Sequence, residues 1–136
     1  MSTLPLSGRT VLVTRTREQA GGLVDQLHAL GATVVVVPLI STVPLATPDE
    51  VRAAAVRLRD APEPRWVAFT SAVAVRLVFG ALAQADLASA SLAAVGAETA
   101  RAVEARGASV SLVPAQPDSA GLARELAPLV AGGTVW

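Results

Sequence analysis

Apolar residues fall along the chain in two alternating patterns, short continuous runs and longer stretches at helical spacing, and that alternation predicts an α/β fold. Thr10-Val11-Leu12-Val13-Thr14 is a short apolar run of the kind a buried parallel strand shows. Leu23, Leu27 and Leu30 then recur at helical spacing, with Thr16 and Gln19 placed for a capping box and Gly31 placed to close the helix. Residues 33–38 predict a second strand. Val34, Val35, Val36 and Val37 are all β-branched, without alternation, which suits a strand covered on both faces. Together these form a βαβ unit.

From residue 40 to 48 the composition turns to Ser, Thr and Pro with scattered apolar positions, which predicts an extended linker between domains. Thr47-Pro48-Asp49-Glu50 is a helix start, with Thr47 as N-cap, Pro48 at the first helical position and Glu50 reaching back, and the helix is expected to run to about Asp60. A strand over 65–70 follows, then a helix over 71–85 whose Val75, Val78, Phe79 and Leu82 share one face. The pattern continues with a strand over 92–95, a helix over 97–106 ended by Gly107, and a strand over 109–113. A helix over 118–130, capped by Asp118 or Ser119, leads to Thr134-Val135-Trp136, the beginning of another strand. Ala29-Leu30-Gly31-Ala32-Thr33-Val34 matches Ala105-Arg106-Gly107-Ala108-Ser109-Val110, as either a faint repeat or the shared chemistry of helix-to-strand joints. The expected architecture is parallel sheets flanked by helices, flavodoxin-like and doubly wound, with right-handed crossovers.

Composition narrows the chemistry. At 136 residues the chain is long enough for one ordinary domain and too short for two full-sized ones. With 52% hydrophobic and 16% charged residues it is neither disordered nor a charged tail. No apolar run approaches the ~18 residues of a spanning helix, and the N-terminus lacks the basic and apolar regions of a signal peptide, so a cytoplasmic protein with no membrane partner is expected. Zero formal net charge and 3% aromatic residues argue against a nucleic-acid surface. Every basic residue is Arg; the absence of Lys removes Schiff-base chemistry and the P-loop lysine. The absence of Cys removes thiolate nucleophiles, disulfides and cysteine-ligated metals. His28, the one histidine, lies mid-helix and reads as a surface imidazole, so no metal site is expected.

Ligands of open α/β sheets lie beyond the carboxyl ends of the strands, where helix N-termini present free amides. Here those turns are Thr14-Arg15-Thr16-Arg17, Thr70-Ser71-Ala72, Gly96-Ala97-Glu98-Thr99 and Gln116-Pro117-Asp118-Ser119. None carries GxGxxG or GxxxxGK[ST], and their small and hydroxylated residues suit either plain helix capping or anions other than a cradled di- or triphosphate. Arg15 and Arg17 could clamp carboxylates bidentately or stand solvated. Asp49, Glu50, Glu104 and Glu125 fall where caps or exposed faces would place them, so no acid/base pair is evident.

At these same turns the sequence resembles the uroporphyrinogen-III synthase family. The resemblance is carried by Val11-Leu12-Val13-Thr14-Arg15 with Glu18-Gln19-Ala20 and Leu30-Gly31, by Phe69-Thr70-Ser71 with Ala74-Val75, by Ala94-Val95-Gly96 with Thr99-Ala100 and Gly107, and by the Pro-rich turn before Ser119 and Leu122. It implies two α/β domains joined by a two-stranded linker, the first made from the start and end of the chain. Residues 1–40 would then be the opening βαβ of that discontinuous and here incomplete first domain, and 41–136 most of the second. Members are much longer, so this sequence is expected to be the N-terminal part of a longer protein.

The resemblance further implies conversion of linear hydroxymethylbilane to uroporphyrinogen III with inversion of the last ring, without cofactor or metal, by a protein expected to be a monomer when intact. Ser71 and Thr99 match polar cleft positions of the family and would be the catalytic residues, Thr99 helping the hydroxyl depart; Thr14, Arg15, Thr70, Gly96 and Ser119 would bind substrate. Two rivals stand beside this reading. One is a non-catalytic tetrapyrrole-binding or regulatory module of the same ancestry. The other is an unrelated flavodoxin-like or receiver-like interaction domain, although no predicted strand ends in the Asp a receiver needs.

Overall fold

The computed structural model describes residues 4–136. The chain divides into two compact units, Met1–Val43 and Pro44–Trp136. In the first, β1 (Thr10–Val13), α1 (Arg17–Ala29) and β2 (Thr33–Val36) form one crossover whose strands pair in parallel, Thr10 with Thr33 through Val13 with Val36. Among the described residues, Val13, Ala20 and Ala32 are its buried ones. After the helix ends at Leu30, Gly31 adopts φ +90°, a left-handed conformation that costs glycine little.

Two expectations fail in this unit. Thr16 is the N-cap of α1, but its side chain accepts no capping bond; the Gln19 N–H donates to the Thr16 carbonyl instead, at 3.1 Å. Nor is β2 covered on both faces. Val35 remains 43% exposed and its register partner Leu12 59%, because one helix shields one face of a two-stranded sheet and leaves the other bare. Beyond β2, Leu39, Ile40, Val43 and Leu45 are exposed along a stretch without regular secondary structure.

The second unit is organised around β3 (Arg65–Phe69), which pairs in parallel with β4 (Ser91–Ala94) on one side and β5 (Thr134–Val135) on the other. The helices are α2 (Pro48–Arg59), α3 (Ala72–Ala81), α4 (Ala97–Glu104) and α5 (Ser119–Val130). Successive β3 side chains point to opposite faces, and both are buried. Val67 and Phe69 join Leu92 of β4 in a core with Ala55 and Leu58 of α2, Val75 of α3 and Val103 of α4. Trp66 joins Ala93 of β4 against Leu122 and Leu126 of α5, with Ala68 packed beside them. Each large apolar side chain taken out of water here contributes about 1.5–3 kcal/mol. Helices on both faces of a parallel sheet, with the last strand returning beside the first, make this a doubly wound α/β unit.

The helix expected over 71–85 stops at Ala81. Leu82 turns extended and enters the core, and the Asp86 carboxylate accepts the Ala83 N–H at 2.8 Å to start a separate 3₁₀ turn, Gln84–Leu87. The strand expected over 109–113 is reduced to a single bridge between Leu112 and Ala93. Ser111 N–H donates to the Leu92 carbonyl and Ala94 N–H to the Leu112 carbonyl before buried Pro114 follows, and proline can donate no ladder bond.

Glycines separate backbone constraint from open space. A Cβ at Gly121, in the first turn of α5, would collide with the Gln116 carbonyl, whereas one at Gly80, in α3, meets nothing within 4 Å. Gly121→Ala should therefore destabilise the fold by about 1–3 kcal/mol, and Gly80→Ala should stabilise it by about 0.5–1 kcal/mol, both read from denaturant midpoints.

The capping box expected at α2 is formed. Thr47 accepts from the Glu50 N–H at 3.3 Å, while the Thr47 N–H and hydroxyl donate to the Glu50 carboxylate at 2.7 and 2.9 Å. The backbone bond chiefly, and the hydroxyl bond with it, hold the Glu50 carboxyl below its ordinary range. A carboxyl held low in the folded chain stabilises it above the unfolded pKa and loses that contribution as pH falls through the folded value. Amide protection at the start of α2, measured relative to intrinsic exchange, should fall on acidification through and below the usual Glu range, and Glu50→Gln should remove that loss of protection.

Candidate functional site

Parallel pairing brings the carboxyl ends of β3 and β4 to one end of the second unit's sheet. Phe69 pairs with Ala94, and the Val95 N–H still donates to the Phe69 carbonyl at 2.9 Å, so the Thr70-Ser71 and Val95-Gly96 turns emerge side by side. The turn before α5 joins them: a Cβ on Gly96 would lie 3.2 Å from the Pro117 Cβ. Thr70, Ser71, Gly96, Thr99 and Ser119 are thus gathered at this end of the unit. Thr14 and Arg15, both exposed, follow β1 in the first unit.

The helix starts at these turns differ in what remains available. Ser71 caps α3, its Oγ accepting the Ala74 N–H at 3.1 Å. Asp118 caps α5, its Oδ1 accepting the Gly121 N–H at 2.7 Å while Oδ2 takes the Gln116 Nε2 bond at 2.7 Å. Ser119, the first helical residue after it, is exposed. Gly96, the N-cap of α4, has no side chain to offer. The first intrahelical bond there is Ala100 N–H to the Gly96 carbonyl, at 3.0 Å, which leaves the Ala97, Glu98 and Thr99 amides unpaired within the helix.

Thr99 stands in that open turn. It is 5% exposed, the one buried polar residue among those described, and its hydroxyl has no protein hydrogen-bond partner. The hydroxyl is nevertheless not sealed off as an unsatisfied buried atom. Amides carrying the positive end of a helix dipole beside an unpartnered hydroxyl can receive a carboxylate and a hydroxyl of one ligand. Among the described residues, no cluster of three or more His, Cys, Asp or Glu could hold a metal, and no helix is long and apolar enough to cross a membrane. His28 is exposed in the last turn of α1. Concavities of about 460 and 420 Å³ lie elsewhere, one along α5 and β5 and the other beside Gln84, Leu92 and Ala108.

Two features of this end escaped the sequence reading. Glu125 is half-buried, and its Oε1 accepts the Ala115 N–H at 2.9 Å, a bond to a separate loop that its place on the helix does not announce. The packing of Pro117 on Gly96 had no sequence signal either, since it joins residues of separate turns.

The fold defines an α/β protein of the doubly wound class. The family model for uroporphyrinogen-III synthase HemD matches residues 22–136, and the chain belongs to that family. Thr14 and Arg15 fall outside the matched span. A curated relative, the porphyrin biosynthesis protein HemD of Ruminiclostridium josui, is 33% identical over 105 residues, covering 74% of this chain and 20% of the relative. A crystal structure of a mutant uroporphyrinogen III synthase from the extremely thermophilic bacterium Thermus thermophilus superposes with a TM-score of 0.59 at 23% identity, over 90% of this chain and 48% of that one. That likeness establishes the shared fold. The chain therefore spans about half of the solved relative and a fifth of the curated one.

The two hydroxyls should separate in stability measurements. Ser71→Ala removes a cap and should cost about 1 kcal/mol. Thr99→Val keeps the branched shape and removes a hydroxyl that bonds nothing in the protein, so the melting temperature should stay level or rise.

Proposed function

We propose that the protein carrying this chain is a uroporphyrinogen-III synthase, which closes hydroxymethylbilane into uroporphyrinogen III with inversion of ring D. The reading rests above all on the uncapped N-terminus of α4, with Thr99 in its first turn, a buried residue whose accessible hydroxyl has no protein partner. Family membership supports it.

The chemistry asks for placement more than for a strong nucleophile. The bilane hydroxyl leaves as water after protonation, giving an azafulvene cation. The substituted carbon of ring D attacks that cation to form a spiro-pyrrolenine; fragmentation and reclosure at the other α-carbon then deliver the inverted ring, with loss of the ring proton. Free Ala97, Glu98 and Thr99 amides would hold a substrate acetate or propionate, and the Thr99 hydroxyl would hydrogen-bond the departing hydroxyl. Thr70 and Ser119 offer further hydroxyls at the same end. Gly96 offers no side-chain oxygen to cap the α4 amides, and its missing Cβ leaves room for Pro117 beside it. Ser71 acts by fixing α3, with its second lone pair available to substrate. Thr14 and Arg15 would supply a hydroxyl and a bidentate guanidinium to other carboxylates.

In the same reading, residues 1–40 open a discontinuous first domain and 41–136 form most of the second. The bare Leu12 and Val35 face supports this, because parallel sheets are ordinarily covered on both sides. The protein would act as a cytoplasmic monomer on its tetrapyrrole substrate, without cofactor, metal or nucleic acid.

Fresh hydroxymethylbilane incubated with the protein expressed from its full gene, then oxidised and resolved by chromatography, tests the proposal. Isomer III should dominate, and Thr99→Val should lower kcat/KM by about tenfold or more without loss of melting temperature. Isomer I alone, the product of unassisted closure, would overturn it.

A further inference from the structure

The turn over α4 is held by a contact that helix capping does not require. Asp118 already caps α5, yet Glu125, further along that helix, reaches back to accept the Ala115 N–H at 2.9 Å. The turn is fixed beyond Ala115 as well. The Gln116 carbonyl lies where a Cβ of Gly121 would stand, and it accepts the Asp118 N–H at 2.8 Å. Pro117, between them, rests against Gly96. Glu125 is therefore the side chain of α5 that ties the entrance of this turn to the helix, and the turn forms the wall beside the open amides of Ala97, Glu98 and Thr99.

We propose that Glu125 is a positioning residue for substrate binding, setting where the Pro117 turn stands over the N-terminus of α4. The inference rests on the reading of that N-terminus as a substrate-carboxylate site. Exposed hydrogen bonds of this kind add little to global stability, so the contact matters through order. With Ala115 released, the turn samples positions over the α4 amides, and substrate must restore one of them on binding. The bond needs an acceptor at Oε1 and no charge, so glutamine in the same rotamer preserves it.

Steady-state kinetics with hydroxymethylbilane, applied to the full-gene protein and its Glu125→Ala and Glu125→Gln variants, test this together with amide exchange at residues 115–118. Glu125→Ala should raise KM about three- to tenfold with kcat within about twofold, and should speed exchange of the Ala115 amide; Glu125→Gln should restore both. An unchanged KM or unchanged exchange in Glu125→Ala would overturn the proposal. So would equal impairment of the two variants, which would mean that charge, and not position, is what Glu125 supplies. Failure of the wild type to make isomer III would count against the synthase reading instead, while exchange would still decide whether Glu125 orders the turn.

Discussion

Burial of β3 on both faces is the constraint on which the second unit depends. A parallel strand placed centrally must present apolar side chains up and down. Val67 and Phe69 do so toward α2, α3 and α4, and Trp66 and Ala68 do so toward α5. That demand fixes which side each helix occupies, and it also sets the strand register, since a one-residue slip would exchange the two faces. With β4 in register beside β3, their succeeding turns must emerge together. The candidate site follows from the sheet.

The site also shows how one chemical vocabulary serves two purposes. Ser71 and Asp118 spend their oxygens on the amides of their own helices, while Gly96 leaves those of α4 available. A helix start with glycine at its cap forgoes roughly a few tenths of a kcal/mol of stability and retains its anion affinity. Thr99, a buried residue whose accessible hydroxyl bonds nothing in the protein, adds a second polar group whose partner must come from outside.

Much of the fold was legible because it is written in local chemistry. Thr47, Pro48 and Glu50 announced α2 by residue type and spacing, and residues 65–70 announced a strand. Features set by tertiary contacts were not. Thr16 has the residue type of a cap, but its side chain makes no capping bond. Leu82 continues a helical stripe in sequence and leaves the helix because Asp86 organises a competing turn. At the site, the choice of turns was readable from strand ends, whereas capping and open helix starts look alike in sequence. Glu125 could not be read at all, because its partner is a backbone amide on a separate loop.

The two edges of β3 also become available at different times as the chain is made. Trp66 pairs with Ser91 in β4 but with Val135 in β5, so one neighbour follows soon in synthesis and the other arrives only near the end of these residues. Until then β3 can hold β4 and the helices of the Val67 face, while its other edge stays unpaired. The cover for Trp66 comes with α5, again late. A ribosome-bound chain halted before α5 would therefore carry a half-covered central strand with an open edge, the state in which a chaperone would find most to hold.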